Sequence, residues 1–139
     1  MTRIEPIFRP KPWWLRMVSA RYVWFTIHPY VYHPVDTDPT EPSYVPIVEH
    51  EKEHLRQQGN GGKWTWLLKY CLSRKFRLNR EVEALAAELP HRPQEHHDWR
   101  IEGFARQLSS MMYFWCATYK AAEAAIRSEW AKHLSQFSR

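Results

Sequence analysis

From residue 44 to residue 58 apolar and charged positions alternate with the period of a helix. At about 100° per residue, Glu49, Lys52, Glu53, Arg56 and Gln57 gather on one side, while Ile47, flanked by Tyr44, Val48 and Leu55, marks the other. Three polar residues break this pattern. Glu51 and His54 fall in the middle of the inward face and His50 at its edge. A helix built only for packing would carry Leu or Ala there, and local rules fail in this way at functional sites. A second helix is expected over 77–89, where Leu78, Val82, Leu85 and Leu89 are spaced i, i+4, i+7, i+11 and Pro90 follows. Further helices are expected over 64–73, 99–108 and 119–137. The last has an inward stripe of Ala122, Ala125, Ile126, Trp130 and Leu134. Ser43, Asp98 and Thr118 stand where N-caps are needed. Gly59-Asn60-Gly61-Gly62 supplies a helix stop, because glycine accepts the left-handed conformation found there.

Residues 21–32 are dense in β-branched and aromatic side chains and read as strand. Pro29 cannot donate a ladder hydrogen bond, so the strand is broken there or lies at an edge. Two short strands, at 22–27 and 30–33, satisfy the pattern equally well. Residues 1–20 read as an arm with a short helix over 12–18, residues 34–42 as a proline-rich loop and 91–97 as a second loop. The aromatic run 109–117 has no clear period. The chain is therefore expected to be one domain, 1–139, helix-rich α+β with a small β-sheet or hairpin near the N-terminus. Its parts are the arm, a strand region at 21–33, helices within 43–89 and C-terminal helices within 98–137.

Composition agrees with a single folded domain. The chain has 139 residues, 44% of them apolar and 15% aromatic, enough for a real core and too few for a second one. Residues 1–11 carry charges and two prolines rather than a signal-peptide apolar run, and no stretch has the length of a membrane span. Such a chain is expected to stay in a cytoplasm unless it leaves inside a particle. Cys71 and Cys116 read as buried thiols rather than a disulfide framework. The net charge is +5, and Arg74, Lys75, Arg77 and Arg80 cluster near Trp64, Trp66, Tyr70 and Phe76. Cations interleaved with aromatics can bind nucleic acid by groove charge and stacking. A basic turn between two helices is the preferred reading, since no nucleic-acid motif accompanies the cluster.

The three polar residues on the inward face belong to His50-Glu51-Lys52-Glu53-His54, an HExxH string. Two histidines four apart on a helix lie about 40° apart around its axis and one turn above each other. So placed they can hold one Zn²⁺, with the intervening Glu51 as general base. The string arises by chance in roughly 3 of 100 shuffled chains of this composition, so the helix phase carries the argument. A catalytic zinc commonly takes three protein ligands. Glu81 lies about 70° from the apolar stripe of its helix, beside Leu78, Ala84 and Leu85, and is the candidate third ligand. Glu83, about 130° away and towards solvent, is a weaker candidate, and Glu88 shares the face of Glu81 one to two turns on. The competing reading of Glu81 is a boundary carboxylate paired with Arg77 or Arg80. A different cluster could be drawn from His91, His96 and His97, but Pro93 and the lack of helical spacing favour a solvated loop.

HExxH followed by a helix with Glu-x-x-Ala resembles the gluzincin branch of the zincin metallopeptidases, matched here by His50, Glu51, His54, Glu81 and Ala84. Many gluzincins have an aspartate after that alanine. Leu85 stands there in this chain, so the carboxylate behind the metal-binding histidine is not identified by the pattern. More closely, the run from His50 to Leu89 resembles small zincin-like proteins of bacteriophages and bacteria. These have a His-Glu-x-x-His-x-x-Gln-like helix, an aromatic-rich helix, Arg-rich residues and Glu-x-Glu-Ala. The matching stretches are His54-Leu55-Arg56-Gln57-Gln58, Trp64-Thr65-Trp66-Leu67-Leu68-Lys69-Tyr70 and Arg74-Lys75-Phe76-Arg77-Leu78.

The resemblance implies a minimal zincin-like fold, a Zn²⁺ cofactor on His50, His54 and Glu81, and hydrolysis of peptide bonds with Glu51 as base. It implies a peptide or protein substrate lying along the strand region, and other phage or bacterial proteins as partners. The partner for the developing oxyanion is open among Tyr113, Tyr119, His91, His96 and His97. Two other readings stand beside this one. The first is a zincin fold kept as a structural or partner-binding module with metal but little turnover, for instance in a phage particle. The second is a basic nucleic-acid-binding protein.

Overall fold

The computed structural model of the chain describes residues 5–18 and 22–137. In chain order they form β1 (Ile7–Pro10), α1 (Trp13–Val18), β2 (Phe25–Ile27), β3 (Tyr30–His33), α2 (Val45–Gly61), α3 (Lys63–Leu72), α4 (Arg74–Glu88), α5 (His97–Leu108) and α6 (Tyr119–Phe137), joined partly by short 3₁₀ turns. This is a helix-rich α+β fold with one small sheet near the N-terminus. Residues 1–4, 19 and 20 of the expected arm, and Arg21 of the strand region, lie outside the described residues.

The sheet order is β1-β3-β2, with β1 parallel and β2 antiparallel to the central β3. Pro29 sits in the turn between β2 and β3, so the reading with two short strands holds. β1 was not anticipated within the arm. Its pattern is only four residues long, and what makes it a strand is pairing with Tyr30–His33, far along the chain. Pro10 is tolerated because β1 lies at an edge.

The apolar side chains form two clusters. Trp24, Val31, Val48 and Leu55 join the sheet to α2. Val82, Leu85, Ile101, Phe104, Leu108, Ala122 and Ile126 join α4, α5 and α6. Between them α2 packs directly on α4.

Several helix ends differ from the expected ones, each for a local reason. A 3₁₀ turn, Pro42–Tyr44, precedes α2, so Ser43 does not cap it; Tyr44 takes the cap position without a side-chain hydrogen bond. The helix runs on to Gly61, and Gly62, at φ 84°, ends it. α4 starts at Arg74 rather than 77, because Ser73 Oγ accepts a hydrogen bond from Phe76 N at 3.1 Å. Asp98 makes no cap and pairs instead with Arg127 at 3.0 Å. Thr118 does cap α6, accepting from Ala121 N at 3.2 Å. Leu134, assigned to the inward stripe, is 50% exposed, since α6 has 19 residues and outruns the 12-residue α5. Cys116 is buried as expected, whereas Cys71 is exposed because α3 turns Trp66 inward and the other side of the helix to solvent. Over 109–117 the chain makes a 3₁₀ turn and then places Phe114 and Trp115 at φ 53° and 48°, which returns Cys116 to the core. Among the described residues no helix is long and apolar enough to cross a membrane.

Gly62 has a backbone conformation that side chains rarely adopt, whereas Gly61 is helical with open space around its Cα. Gly62→Ala is expected to lower unfolding free energy by about 1–3 kcal/mol, and Gly61→Ala to leave it unchanged or raise it by up to about 1 kcal/mol. Urea melts of the two variants check this; equal effects would contradict the assigned helix stop.

Candidate metal centre

The inward faces of α2 and α4 meet at a polar seam. His50 and His54 stand one turn apart on α2, with ring centroids 5.1 Å apart, and Glu81 of α4 faces them. Glu81 Oε2 is 3.3 Å from His50 Nε2 and 3.3 Å from His54 Nε2. All three residues are buried, and one ligand atom from each lies within 4.8 Å of the others. In a tetrahedral site with bonds of about 2.0–2.1 Å, ligand atoms stand about 3.3–3.4 Å apart. The group can hold a metal ion on two imidazole nitrogens and one carboxylate oxygen.

Each donor is oriented by a further residue. His50 Nδ1 is 3.0 Å from Glu88 Oε1, so it donates its proton there and turns Nε2 towards Glu81. Glu88 is fully buried and is itself held by Arg92 and Arg100. His54 Nδ1 is 3.1 Å from Gln57 Oε1. Gln57 is fixed in turn by donating to Arg80 O at 3.1 Å and to Glu83 Oε2 at 3.0 Å. Tyr70, on α3, donates its hydroxyl to Glu81 Oε1 at 2.5 Å, leaving Oε2 for the histidines. Every donor atom facing the shared centre thus has its other polar atom occupied, which sets tautomer and ring angle before any ion arrives.

Burial alone would favour neutral rings, but the Glu81 and Glu88 carboxylates outweigh it and raise the His50 pKa to about 10. For His54 burial is again outweighed, chiefly by Glu81, and its pKa is raised. Burial would push the Glu81 carboxyl up, yet the two imidazoles hold it well below the usual carboxylate range. Glu88 is held low against burial by His50 and Arg100. The Nε2 atoms of both rings and the Glu81 carboxylate thus face one another across the space an ion would take.

A cleft of about 600 Å³ opens on this centre. Its walls include Thr26 and Phe25 of β2, Trp66 and Tyr70 of α3, and Tyr113. Glu51 lies in the same wall as the histidines, buried, with Oε2 accepting a 2.6 Å hydrogen bond from Thr26 Oγ1. Trp66 Nε1 is buried there without a hydrogen-bond partner among the described residues. Gln58, on the next turn of α2, binds the outer edge of β2, donating to Thr26 O at 2.8 Å and accepting from His28 N at 2.7 Å.

The remaining candidates are sorted by the fold. Glu83 is partly buried and joins Arg80 and Gln57 rather than the centre. Arg77 does not pair with Glu81; it is buried and donates to the carbonyls of Tyr113, Tyr70 and Cys71. Of the five candidates for the oxyanion role, Tyr113 alone lines the cleft. Tyr119 donates to Glu123 on α6, His96 is exposed, His97 packs edge-on to Trp130, and His91 is 3.9 Å from Glu49. The helical phasing misplaced Gln57, expected in solvent and found 5% exposed, because α4 covers that flank of α2. Glu88 was visible only as a face-mate of Glu81. Tyr70 and Gln58 stood within the stretches that carry the resemblance without an assigned role, and Thr26 carried no signal short of tertiary packing.

No family model, no curated protein and no solved structure matches this chain. The likeness to gluzincins therefore rests on the residues named above.

Glu88→Ala is expected to weaken divalent-metal affinity 10- to 100-fold, and Glu83→Ala, which removes contacts to Gln57 and Arg80, to change it by less than about threefold; competition with a chelating dye reads both. The pH dependence has a definite sign. In metal-free protein the raised His50 contributes stability that is complete below about pH 6.5 and lost as pH rises through about 10. The lowered Glu81 and Glu88 contribute stability that is complete above about pH 4.5 and lost as pH falls below it. Metal uptake at pH 7 must release protons and strengthen with rising pH, which calorimetry in buffers of different ionisation enthalpy measures. Uptake without proton release would refute the assigned ligands.

Proposed function

We propose that the protein is a zinc-dependent peptidase of gluzincin type, with His50, His54 and Glu81 as ligands and Glu51 as general base. The observation that carries this reading is the common address of Glu51 and the three-residue donor group on one wall of an open cleft. Imidazole and carboxylate donors suit zinc, and three protein ligands leave a position free. Bound zinc would supply Lewis acidity and a water acidic enough to attack at neutral pH.

The chain's own residues account for the proton traffic. One oxygen of Glu51 is anchored by Thr26, which leaves the other to take a proton from the attacking water and return it to the leaving amine. Tyr113 is the proposed donor to the carbonyl oxygen. Burial, then the Glu81 and Glu51 carboxylates, push its pKa well above the usual phenol value, so it keeps a proton to donate. Arg77 holds the Tyr113 backbone carbonyl at 3.0 Å and so positions that donor. Phe25 and Thr26 of β2 line the cleft in which a substrate would lie, and Gln58 holds the outer edge of that strand against α2.

The test uses full-length protein, purified without added metal, against unfolded proteins and a quenched fluorescent peptide library. Bound zinc near one equivalent and chelator-sensitive cleavage are expected. Glu51→Gln should keep its zinc and lose 10²- to 10⁴-fold in kcat. Tyr113→Phe should keep its zinc and lose about 10²-fold in kcat with little change in KM. Zinc-loaded protein that cleaves nothing, or a Glu51→Gln variant as active as the parent, would overturn the proposal.

A further inference from the structure

α3 is apolar on two opposite faces, and the fold uses one of them. Trp66 and Tyr70 point to the metal cleft. On the far side Trp64, Leu68 and Leu72 fall at i, i+4 and i+8, a single stripe along the helix. They are 72%, 61% and 77% exposed. A helix in water is expected to turn polar residues outward, so a stripe of this kind marks a contact surface.

Charge says what kind. Between Glu53 and Glu81 the chain contains no Asp or Glu. Lys69, on the flank of the stripe, and Arg74 and Lys75, within three residues of Leu72, are exposed. None of the three is in an ion pair among the described residues. Cations unmatched by acids oppose self-association through this face, because a second copy would bring like charges together. Leu68 and Leu72 have no π face on which a base could stack, which disfavours nucleic acid. A tryptophan and two leucines, flanked by long basic side chains whose stems can lie along apolar surface while their heads meet phosphate, suit a lipid headgroup layer.

We propose that α3 docks the protein on an anionic phospholipid surface, Trp64, Leu68 and Leu72 entering the interfacial layer and Lys69, Arg74 and Lys75 meeting headgroup phosphates. The helix lies in the plane of the surface and does not span it. Its opposite face walls the cleft, so docking holds the metal centre about one helix diameter, ~10 Å, from the lipid. The proposal does not depend on the peptidase reading.

The experiment is co-flotation of full-length protein with vesicles of phosphatidylglycerol and phosphatidylcholine, or of phosphatidylcholine alone, with and without chelator. Binding to the anionic vesicles only, weakened by salt and indifferent to chelator, is expected. Each basic residue at a charged membrane is worth about fivefold in partitioning, so the triple variant Lys69→Gln, Arg74→Gln, Lys75→Gln should lose about 100-fold. Leu68→Ser with Leu72→Ser should lose tenfold or more. Unchanged circular dichroism and metal affinity exclude misfolding as the cause. The proposal is overturned if wild-type protein ignores anionic vesicles, or if both variants bind as well as the parent. It is equally overturned if single-stranded oligonucleotide is bound and vesicles are not. The same holds if Leu68→Ser with Leu72→Ser abolishes a dimer in protein that shows no vesicle binding.

Discussion

Burying ionisable groups between two helices is the constraint around which this molecule is arranged. His50, His54, Glu81 and Glu88 all lie in the α2–α4 seam, away from water. Each would be costly there alone, since a charge leaving water loses several kcal/mol of solvation unless partners replace it. The seam is tolerable because the network closes. Glu81 faces both imidazoles, Glu88 takes the far nitrogen of His50, and Arg92 and Arg100 balance Glu88. Apolar clusters flank the seam on either side, and the edge-on ring of Phe104, 5.6 Å from His50, belongs to one of them.

The same closure gives the centre its directionality. A buried histidine with one nitrogen committed to a carboxylate or amide oxygen has the other left for a metal, and its direction is set by packing rather than by rotamer freedom. Two such rings and a carboxylate pinned by Tyr70 leave a polar position on the wall of the cleft. The sheet contributes the rest of the wall. Thr26 anchors Glu51, and Gln58 ties the outer edge of β2 to α2, so the base and the strand beside it are fixed to the helix that carries the histidines. α3 is the hinge between this interior and the outside. One face completes the cleft, and the other displays apolar and basic side chains to solvent.

Much of this is legible in the amino-acid sequence. The helices α2, α4 and α6 follow from period-3.6 stripes, because an amphipathic helix must write its buried face into its own sequence, and α3 and α5 stand where helices are expected between them. The inward phase of His50, Glu51 and His54 was legible for the same reason, as was the border position of Glu81. Errors concentrated where one element decides the fate of another. Gln57 sits on a polar flank by its own helix, yet α4 covers it. Cys71 sits in an apolar run, yet the fold leaves it exposed. β1 needed a partner far along the chain to become a strand.

What the amino-acid sequence determined by itself is therefore local and periodic: helix phase, the glycine stop at Gly62, the cap at Thr118, and a pair of histidines one turn apart. Tertiary structure alone decided the convergence. Whether Glu81 reaches those histidines, which carboxylate stands behind His50, and that Tyr113 rather than Tyr119 faces the cleft depend on how α2, α3 and α4 lie against one another. Such contacts join residues dozens of positions apart, and a one-dimensional pattern holds no record of the angle at which two helices cross.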